Sequence, residues 1–259
     1  MKSKEFSYDL FITLLKTFLN NGYTITTVHD YFTNKNIPEK TLILRHDVDR
    51  YPSNTLKMAI LENEIGVKST YYFRIIPSVY KEDVIKKVHE LGHEVAYHYE
   101  DLTLVRGNFE KAIDHFENGL KMIRKFAKAE TICMHGSPMS KWDNKDIWKK
   151  YNYKDYGIIG ATSFDIDYDE VFYISDNGWG WNNTSVSVRD KVKTKFNIPI
   201  KGTEHLMTLI SNNKLPNRVM INAHPDTFFN PGVKYFFNKY LIKSKNVVKR
   251  IIVKYKILK

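Results

Sequence analysis

The stretch that most constrains the fold is Leu42 to Arg50, which reads LILRHDVDR. Its first three residues are apolar and form the short unbroken run expected of a strand buried on both faces of a parallel sheet. Asp47 and Asp49 follow two residues apart, so their side chains would point to the same side if the extended backbone continues. Ligands bind at the carboxyl ends of such strands, and the stretch therefore predicts one edge of a ligand site. An isolated Asp-x-Asp also fits a helix-capping turn, because Asp is common in turns.

Strands and helices are predicted to alternate along the chain. Helical periodicity predicts helices over residues 8–20, 53–65, 81–91, 108–127, 143–151 and 203–211. Apolar, β-branched and aromatic runs predict strands over residues 23–28, 42–44, 67–73, 94–98, 131–134 and 218–223. Residues 156–169 and 171–175 fit either irregular segments or strands. This rhythm indicates an α/β fold with mostly parallel strands.

Histidine follows three of the predicted strands at the point where each one ends. These residues are His98, His135 and His224. A single His in such a place is usually structural. Four successive strand ends that each carry a His or an Asp indicate a shared site, because the carboxyl ends of parallel strands meet at one edge of the sheet.

Composition limits the chemistry of that site. The single cysteine, Cys133, excludes a disulfide framework and a Cys-rich zinc site, so metal ligands must come from His and carboxylates. An apolar content of 42% describes a globular protein. The first residues do not resemble a secretory signal, and no apolar run is long enough to span a membrane. A cytoplasmic location is therefore expected.

The net charge of +11 is concentrated in a tail. Residues 232–259 contain nine Lys or Arg and no acid, so the rest of the chain is nearly balanced and nucleic-acid binding is not expected. Apolar residues recur there at helical spacing: Phe237, Leu241, Val248, Ile251, Ile252, Tyr255 and Leu258. A basic amphipathic helix over residues 231–259 is predicted, which either packs on the domain or makes a peripheral contact with the inner membrane.

The strand-end residues resemble those of the polysaccharide deacetylases of carbohydrate esterase family 4. The segment GHEVAYH, from Gly92 to His98, is similar to the family's Gly-His-Glu-Ile-Gly-x-His segment, and HGSP at residues 135–138 lies where its third motif falls. The resemblance covers about residues 42–225 and implies a distorted (β/α) barrel, with residues 1–230 as a single domain. It also implies that Asp47 is the catalytic base, that Asp49 and His98 are metal ligands, and that His224 is the catalytic acid.

Two departures from the family pattern leave alternatives open. The family's aspartates are adjacent, whereas Val48 separates Asp47 from Asp49, so the roles of base and ligand could be exchanged. The family's second ligand His lies four residues after the first, where this chain has Leu102. His135 is the first choice for the third ligand because it ends the neighbouring strand; Glu100 and Asp101 are the alternatives.

The implied activity is metal-dependent removal of an acetyl or other N-acyl group from a saccharide or saccharide precursor in cell-surface polysaccharide metabolism. One carboxylate and two imidazoles suit zinc best among divalent metals. Arg45, Arg74 and Trp179 are predicted to contact the substrate, through charge or ring stacking. Two alternatives remain: a carbohydrate-binding protein that has kept the fold and lost the metal, and a metal-dependent phosphoesterase.

Overall fold

A computed structural model of the chain describes residues 5–137, 139–182 and 192–230, together with residues 232, 235, 237, 240, 241, 244, 246 and 247. The strands are β1 (Thr24–Thr26), β2 (Thr41–Val48), β3 (Thr70–Phe73), β4 (Glu94–Tyr99), β5 (Thr131–Met134), β6 (Gly160–Ala161), β7 (Phe172–Ser175) and β8 (Arg218–Asn222). The α-helices are α1 (Tyr8–Asn20), α2 (Val28–Thr33), α3 (Pro52–Glu64), α4 (Glu82–Glu90), α5 (Asp101–Leu104), α6 (Phe109–Arg124) and α7 (Thr203–Ser211). Short 3-10 helices lie at Asn144–Lys149, Tyr153–Tyr156 and Pro225–Thr227.

The strands form one eight-stranded sheet in the order β6-β5-β4-β3-β2-β8-β7, with β1 also paired to β2. Each pairing among the described residues is parallel. The predicted α/β fold with mostly parallel strands is therefore confirmed. Parallel strands bring their carboxyl ends to one edge, which is where β2, β4, β5 and β8 deliver their polar residues.

The sheet curls into an incomplete barrel. One buried cluster contains inward-facing side chains from six strands: Ile43, Tyr72, Ala96, Cys133, Tyr173 and Met220. Arg45 on β2 crosses the interior to reach Cys133 on β5 and Tyr173 on β7. These contacts join strands far apart in the sheet order, so the sheet must wrap around its inner face, as the (β/α) barrel prediction requires.

Helices cover the outer face of the barrel. Cluster residues from α1, α3 and α7 pack on the outward side chains of β2 and β8, including Leu42, Leu44 and Ile221. Helices α4 and α6 pack on β3, β4 and β5. Local signals set the helix boundaries: the Ser7 side chain accepts from the Leu10 N–H at the start of α1 (3.4 Å), and the Asn108 side chain accepts from the Lys111 N–H at the start of α6 (2.9 Å).

Strand β2 is longer than the predicted run of residues 42–44, because its polar residues all find buried partners. Arg45 and Asp47 pair with each other inside the barrel at 2.7 Å. His46 points outward, where its Nε2 lies 2.8 Å from Glu62 of α3 and its Nδ1 donates to the Ala223 carbonyl at 2.9 Å. A buried strand tolerates polar side chains when each is hydrogen-bonded.

Other boundaries differ modestly from the predictions. The strand predicted over residues 23–28 stops at Thr26, because the Thr27 side chain accepts from the Asp30 N–H at 3.0 Å and begins α2. The helix predicted over residues 143–151 is a 3-10 helix. Helix α7 and strand β5 match their predicted bounds.

No helix within the described residues is both long and apolar enough to cross a bilayer. Of the predicted tail helix, the described positions between 235 and 247 are helical. The remaining positions, including Val248, Ile251, Ile252, Tyr255 and Leu258, lie outside the described residues. The division into a domain of residues 1–230 and a tail of residues 231–259 stays a prediction.

Candidate active site

Asp47 lies inside the barrel near the carboxyl end of β2. Its Oδ1 accepts from Arg45 Nη1 at 2.7 Å, and its Oδ2 accepts from Asn222 Nδ2 at 2.9 Å. Burial would raise the pKa of Asp47, but the Arg45 guanidinium, with His98 and His224, holds that pKa below its usual value. Asp47 is therefore an ionised, fixed carboxylate at neutral pH.

Asp49, His98 and His135 converge just beyond it. Asp49 Oδ1 lies 3.5 Å from His98 Nε2 and 3.6 Å from His135 Nε2. Among the described residues, this buried oxygen has no hydrogen-bond partner. Ligand atoms around a tetrahedral zinc lie about 3.3 to 3.6 Å apart, given its bond lengths. Asp49 Oδ1 therefore lies at the spacing of a shared metal ion from each of the two imidazoles.

The second ring nitrogen of each imidazole is occupied by a hydrogen bond. His98 Nδ1 donates to the Cys133 carbonyl at 3.0 Å, and His135 Nδ1 lies 2.9 Å from Glu100 Oε2. Burial would raise the pKa of Glu100, but His135 and Arg74 hold it below its usual value, so Nδ1 of His135 is the donor. Such bonds fix the tautomer and leave Nε2 available to a metal.

The alternative third ligands lie elsewhere. Glu100 is behind His135, with its other carboxylate oxygen 2.6 Å from Arg74. Asp101 accepts from Tyr97 Oη at 2.7 Å and pairs with His115 at 2.5 Å. Leu102 is buried in the apolar cluster of β3, β4 and α6. Of the three sequence candidates, His135 is the one whose free nitrogen faces Asp49.

A second group of possible ligand atoms, on Asp47, His98 and Cys133, lies within 4.8 Å of one another. Cys133 Sγ is 2.7 Å from Arg45 Nη1, the same nitrogen that bonds Asp47. A guanidinium therefore already contacts two members of this group. We favour the Asp49 group because its close neighbours, His98 and His135, are imidazoles that can release a proton to a metal, whereas the guanidinium beside Asp47 and Cys133 cannot.

His224 follows β8 and is held by Asp176. Its Nδ1 lies 2.5 Å from Asp176 Oδ1, its backbone N–H donates to Asp176 Oδ2 at 3.0 Å, and its Nε2 points to Asp47 Oδ2 at 3.9 Å. Burial would lower the pKa of His224, but Asp176, with Asp47 and Asp49, raises it to about 10. Nε2 of His224 therefore carries a proton at neutral pH.

Sequence reasoning did not single out Asp176 or Asn222. Asp176 follows the apolar strand β7 directly, in the same pattern that identified His98, His135 and His224. The strand-end signal could therefore have found it. Asn222, the last residue of β8, gave no comparable signal because one amide in a strand has many possible partners.

The three predicted substrate contacts have other partners in the structure. Arg45 is 5% exposed and its guanidinium bonds Asp47, Cys133 and Tyr173, so it supports the carboxylate, and its contact with substrate stays a prediction. Arg74 pairs with Glu100. The Trp179 ring packs on Phe6 and Tyr235, with centroids 5.6 and 5.5 Å away, and so belongs to an apolar cluster.

Comparison with known proteins adds a structural likeness. No protein-family model matches the chain, and no curated protein sequence matches it. The chain is similar to solved structures of carbohydrate esterase family 4. One is a CE4 family pseudoenzyme from Bacillus anthracis, with 10% identity, a TM-score of 0.42, and coverage of 80% of this chain and 61% of that chain.

Two further structures are described as esterases. A family 4 carbohydrate esterase from Bacillus anthracis has 13% identity, a TM-score of 0.41, and coverage of 78% of this chain and 85% of that chain. An acetyl xylan esterase from Clostridium thermocellum, solved with a cobalt ion, has 11% identity, a TM-score of 0.39, and coverage of 81% and 84%. This chain spans less than two thirds of the length of the pseudoenzyme, at 63% and 61% in its two structures. These identities and TM-scores are too low to carry a residue's role from those proteins to this chain.

Proposed function

We propose that the protein is a metal-dependent hydrolase that removes an acetyl or other N-acyl group from a saccharide or saccharide precursor. The observation that supports this best is the orphaned Asp49 Oδ1 facing two imidazole nitrogens whose partner nitrogens are already bonded. A carboxylate and a protonated imidazole, on Asp47 and His224, lie beside this group. The proposed base, the proposed acid and the proposed metal ligands thus lie at one edge of the barrel.

Asp49, His98 and His135 would hold the cation. Two nitrogens and one oxygen suit zinc, although other divalent metals accept the same donors. When bound, the metal supplies a lowered pKa for a bound water and polarisation of the carbonyl group that the water attacks. The Nδ1 hydrogen bonds to Cys133 and Glu100 keep both imidazoles oriented for that purpose.

Asp47 would act as the general base. Its Oδ1 is held by Arg45 and its Oδ2 faces both His98 and His224. Because the pKa of Asp47 is held low, the carboxylate is ionised and ready to accept a proton across the neutral range. Arg45 is a positioning residue in this scheme.

His224 would act as the general acid. An amine is a poor leaving group, so cleavage of an amide requires a proton donor as well as a base. The raised pKa of His224 keeps a proton on Nε2, and Asp176 holds the opposite nitrogen so that Nε2 faces the site. After the proton has left, the same hydrogen bond keeps the ring in place.

The proposal that the substrate is a saccharide rests on the motif resemblance alone. The side chains of Tyr71, Tyr72, Tyr97 and Tyr99 are fully buried, so these aromatic residues pack the core and do not stack on a sugar. The activity test therefore uses a panel: N-acetylated sugars, O-acetylated sugars and phosphate monoesters, each with protein loaded with zinc or cobalt. Release of acetate from the acetylated members supports the proposal.

A matched pair of variants tests the metal site, and the product released separates the three candidate functions. His135→Ala should lose metal and activity, whereas His115→Ala, which removes another His bonded to a buried carboxylate, should keep both. Phosphate release in place of acetate release would identify a phosphoesterase. Protein that binds sugar but neither metal nor acetylated substrate would be the non-catalytic binding protein.

A further inference from the structure

The tail helix is anchored to the domain by one face. Tyr235 and Asn246 are 2% and 6% exposed. Tyr235 Oη donates to the Glu5 carbonyl at 2.7 Å, and Asn246 Nδ2 donates to the Gly178 carbonyl at 2.7 Å. The Tyr235 ring also packs on Trp179 with centroids 5.5 Å apart. Two anchors eleven residues apart along the chain fix the helix against the barrel.

The opposite face of the same helix is exposed and mostly apolar. Its described side chains are Phe237 (67% exposed), Tyr240 (67%), Leu241 (38%), Ser244 and Val247 (56%). Each residue of an α-helix turns by about 100°. The two anchors then lie within about 20° of each other, and these five residues occupy the arc from about 120° to 240° away from them. We call Phe237, Tyr240, Leu241 and Val247 the tail stripe.

The charge of the tail indicates which kind of partner binds this stripe. Residues 232–259 contain nine Lys or Arg and no acid. A second copy of the chain would bring two helices of the same charge together, which is unfavourable. An anionic lipid surface provides both an apolar layer for the stripe and headgroups for the basic side chains, and the two attractions add.

We propose that the tail stripe binds the surface of anionic membranes while the opposite face stays docked on the barrel. The helix would lie in the plane of the interface, and the domain would sit on the lipid without crossing it. This surface is independent of catalysis: it would bind lipid whether or not the site described above turns over substrate.

The docked face of the tail helix is close to that site. Gly178, which accepts the hydrogen bond of Asn246, is two residues from Asp176, so their Cα atoms are at most about 7 Å apart. Asp176 in turn bonds His224. The candidate active site would therefore lie beside the membrane-bound helix, on the side of the helix that faces away from the lipid.

Co-sedimentation of the full chain with vesicles tests the proposal. Vesicles of phosphatidylglycerol and phosphatidylcholine should bind the protein, with binding that weakens as salt is raised, and vesicles of phosphatidylcholine alone should bind far less. The variant F237S/Y240S/L241S/V247S should bind at least about tenfold more weakly, because its apolar contact is lost while its charge is unchanged.

A matched control uses exposed apolar residues on other surfaces. In L19S/I60S/I159S/F164S the replaced side chains are 38%, 38%, 40% and 47% exposed, and binding should equal that of the wild type. Circular dichroism on both variants checks that they are folded. Wild-type binding by the tail variant, or no binding of the native chain to anionic vesicles, would overturn the proposal. A wild-type dimer that becomes monomeric in the tail variant would also overturn it, since a second copy would then cover the stripe.

Discussion

Replacing Asp176 by Asn should move the alkaline limb of the pH–rate profile by several pH units. The native pKa of His224 is about 10, and Asp176 is the main influence that raises it. With a neutral amide in its place, burial is opposed only by the more distant Asp47 and Asp49, and the pKa should fall toward the unperturbed value of about 6.5. Asn is nearly isosteric and its side-chain oxygen can still accept from Nδ1, but its NH2 group cannot accept from the His224 backbone N–H, so that second hydrogen bond is lost.

The size of the effect follows from the protonated fraction of His224. At pH 7.5 a group with a pKa of 10 is almost fully protonated, whereas one with a pKa of ~6.5 is protonated in roughly one molecule in ten. The variant should therefore lose about tenfold in kcat at pH 7.5 and recover most of that loss near pH 5.5, as long as Asp47 remains ionised. The native enzyme should show no alkaline loss from this group until pH approaches 10.

The assay is kcat against pH between 5.5 and 10 for the wild type, Asp176→Asn and a control, with the best acetylated substrate from the panel. Asp101→Asn is the control, because it removes a buried carboxylate from another His–Asp pair, that with the partly exposed His115. The reasoning would be refuted by an alkaline limb in Asp176→Asn that coincides with that of the wild type. A uniform loss at all pH values would point to ring misplacement instead of a lowered pKa.

Three further predictions concern the ligands, the base and its neighbour. Asp49→Ala, His98→Ala and His135→Ala should each lose stoichiometric metal, measured by elemental analysis; retained metal in His135→Ala would return the third-ligand role to one of the neighbouring acids after β4. Asp47→Asn should lower turnover by roughly 10²-fold or more with metal content unchanged, and wild-type turnover would remove its role as base. Arg45→Met should raise the pKa of Asp47, because the guanidinium that lowers it is gone, so the acidic limb of the profile should move to higher pH; a raised KM with an unmoved limb would instead make Arg45 a substrate contact.

Most of what the sequence predicts about the site comes from one pattern, in which Asp or His lies at the end of a predicted strand. Apolar runs followed by Asp or His located the ends of β2, β4, β5 and β8, and parallel pairing brings those ends together. Glu100 and Asp101 show what this pattern cannot predict. They are adjacent in the chain, yet one supports His135 and the other faces His115, because β4 ends just before Glu100 and α5 begins at Asp101.

Contacts between residues that are far apart in the chain could not be predicted from the sequence for a different reason. Arg45 is of a residue type that often binds charged substrates, but its guanidinium contacts Cys133 and Tyr173 because the sheet curls. Trp179 likewise packs between Phe6 and Tyr235, which lie more than fifty residues away in either direction. No local periodicity encodes such contacts, since they depend on how far the barrel closes and where its ends are covered.

Strand β2 separates two tasks on its two faces. Arg45 and Asp47 point into the barrel, while His46 between them points outward to Glu62, which also accepts from Ser69 at 2.6 Å. Protein engineers could therefore redesign Glu62 and Ser69 for stability, but His46 ties the outer network to the reacting edge, because its Nδ1 donates to the Ala223 carbonyl next to His224. The two faces are also linked by register: deleting a single residue at the start of β2 would turn the imidazole inward and both charged side chains toward the helix.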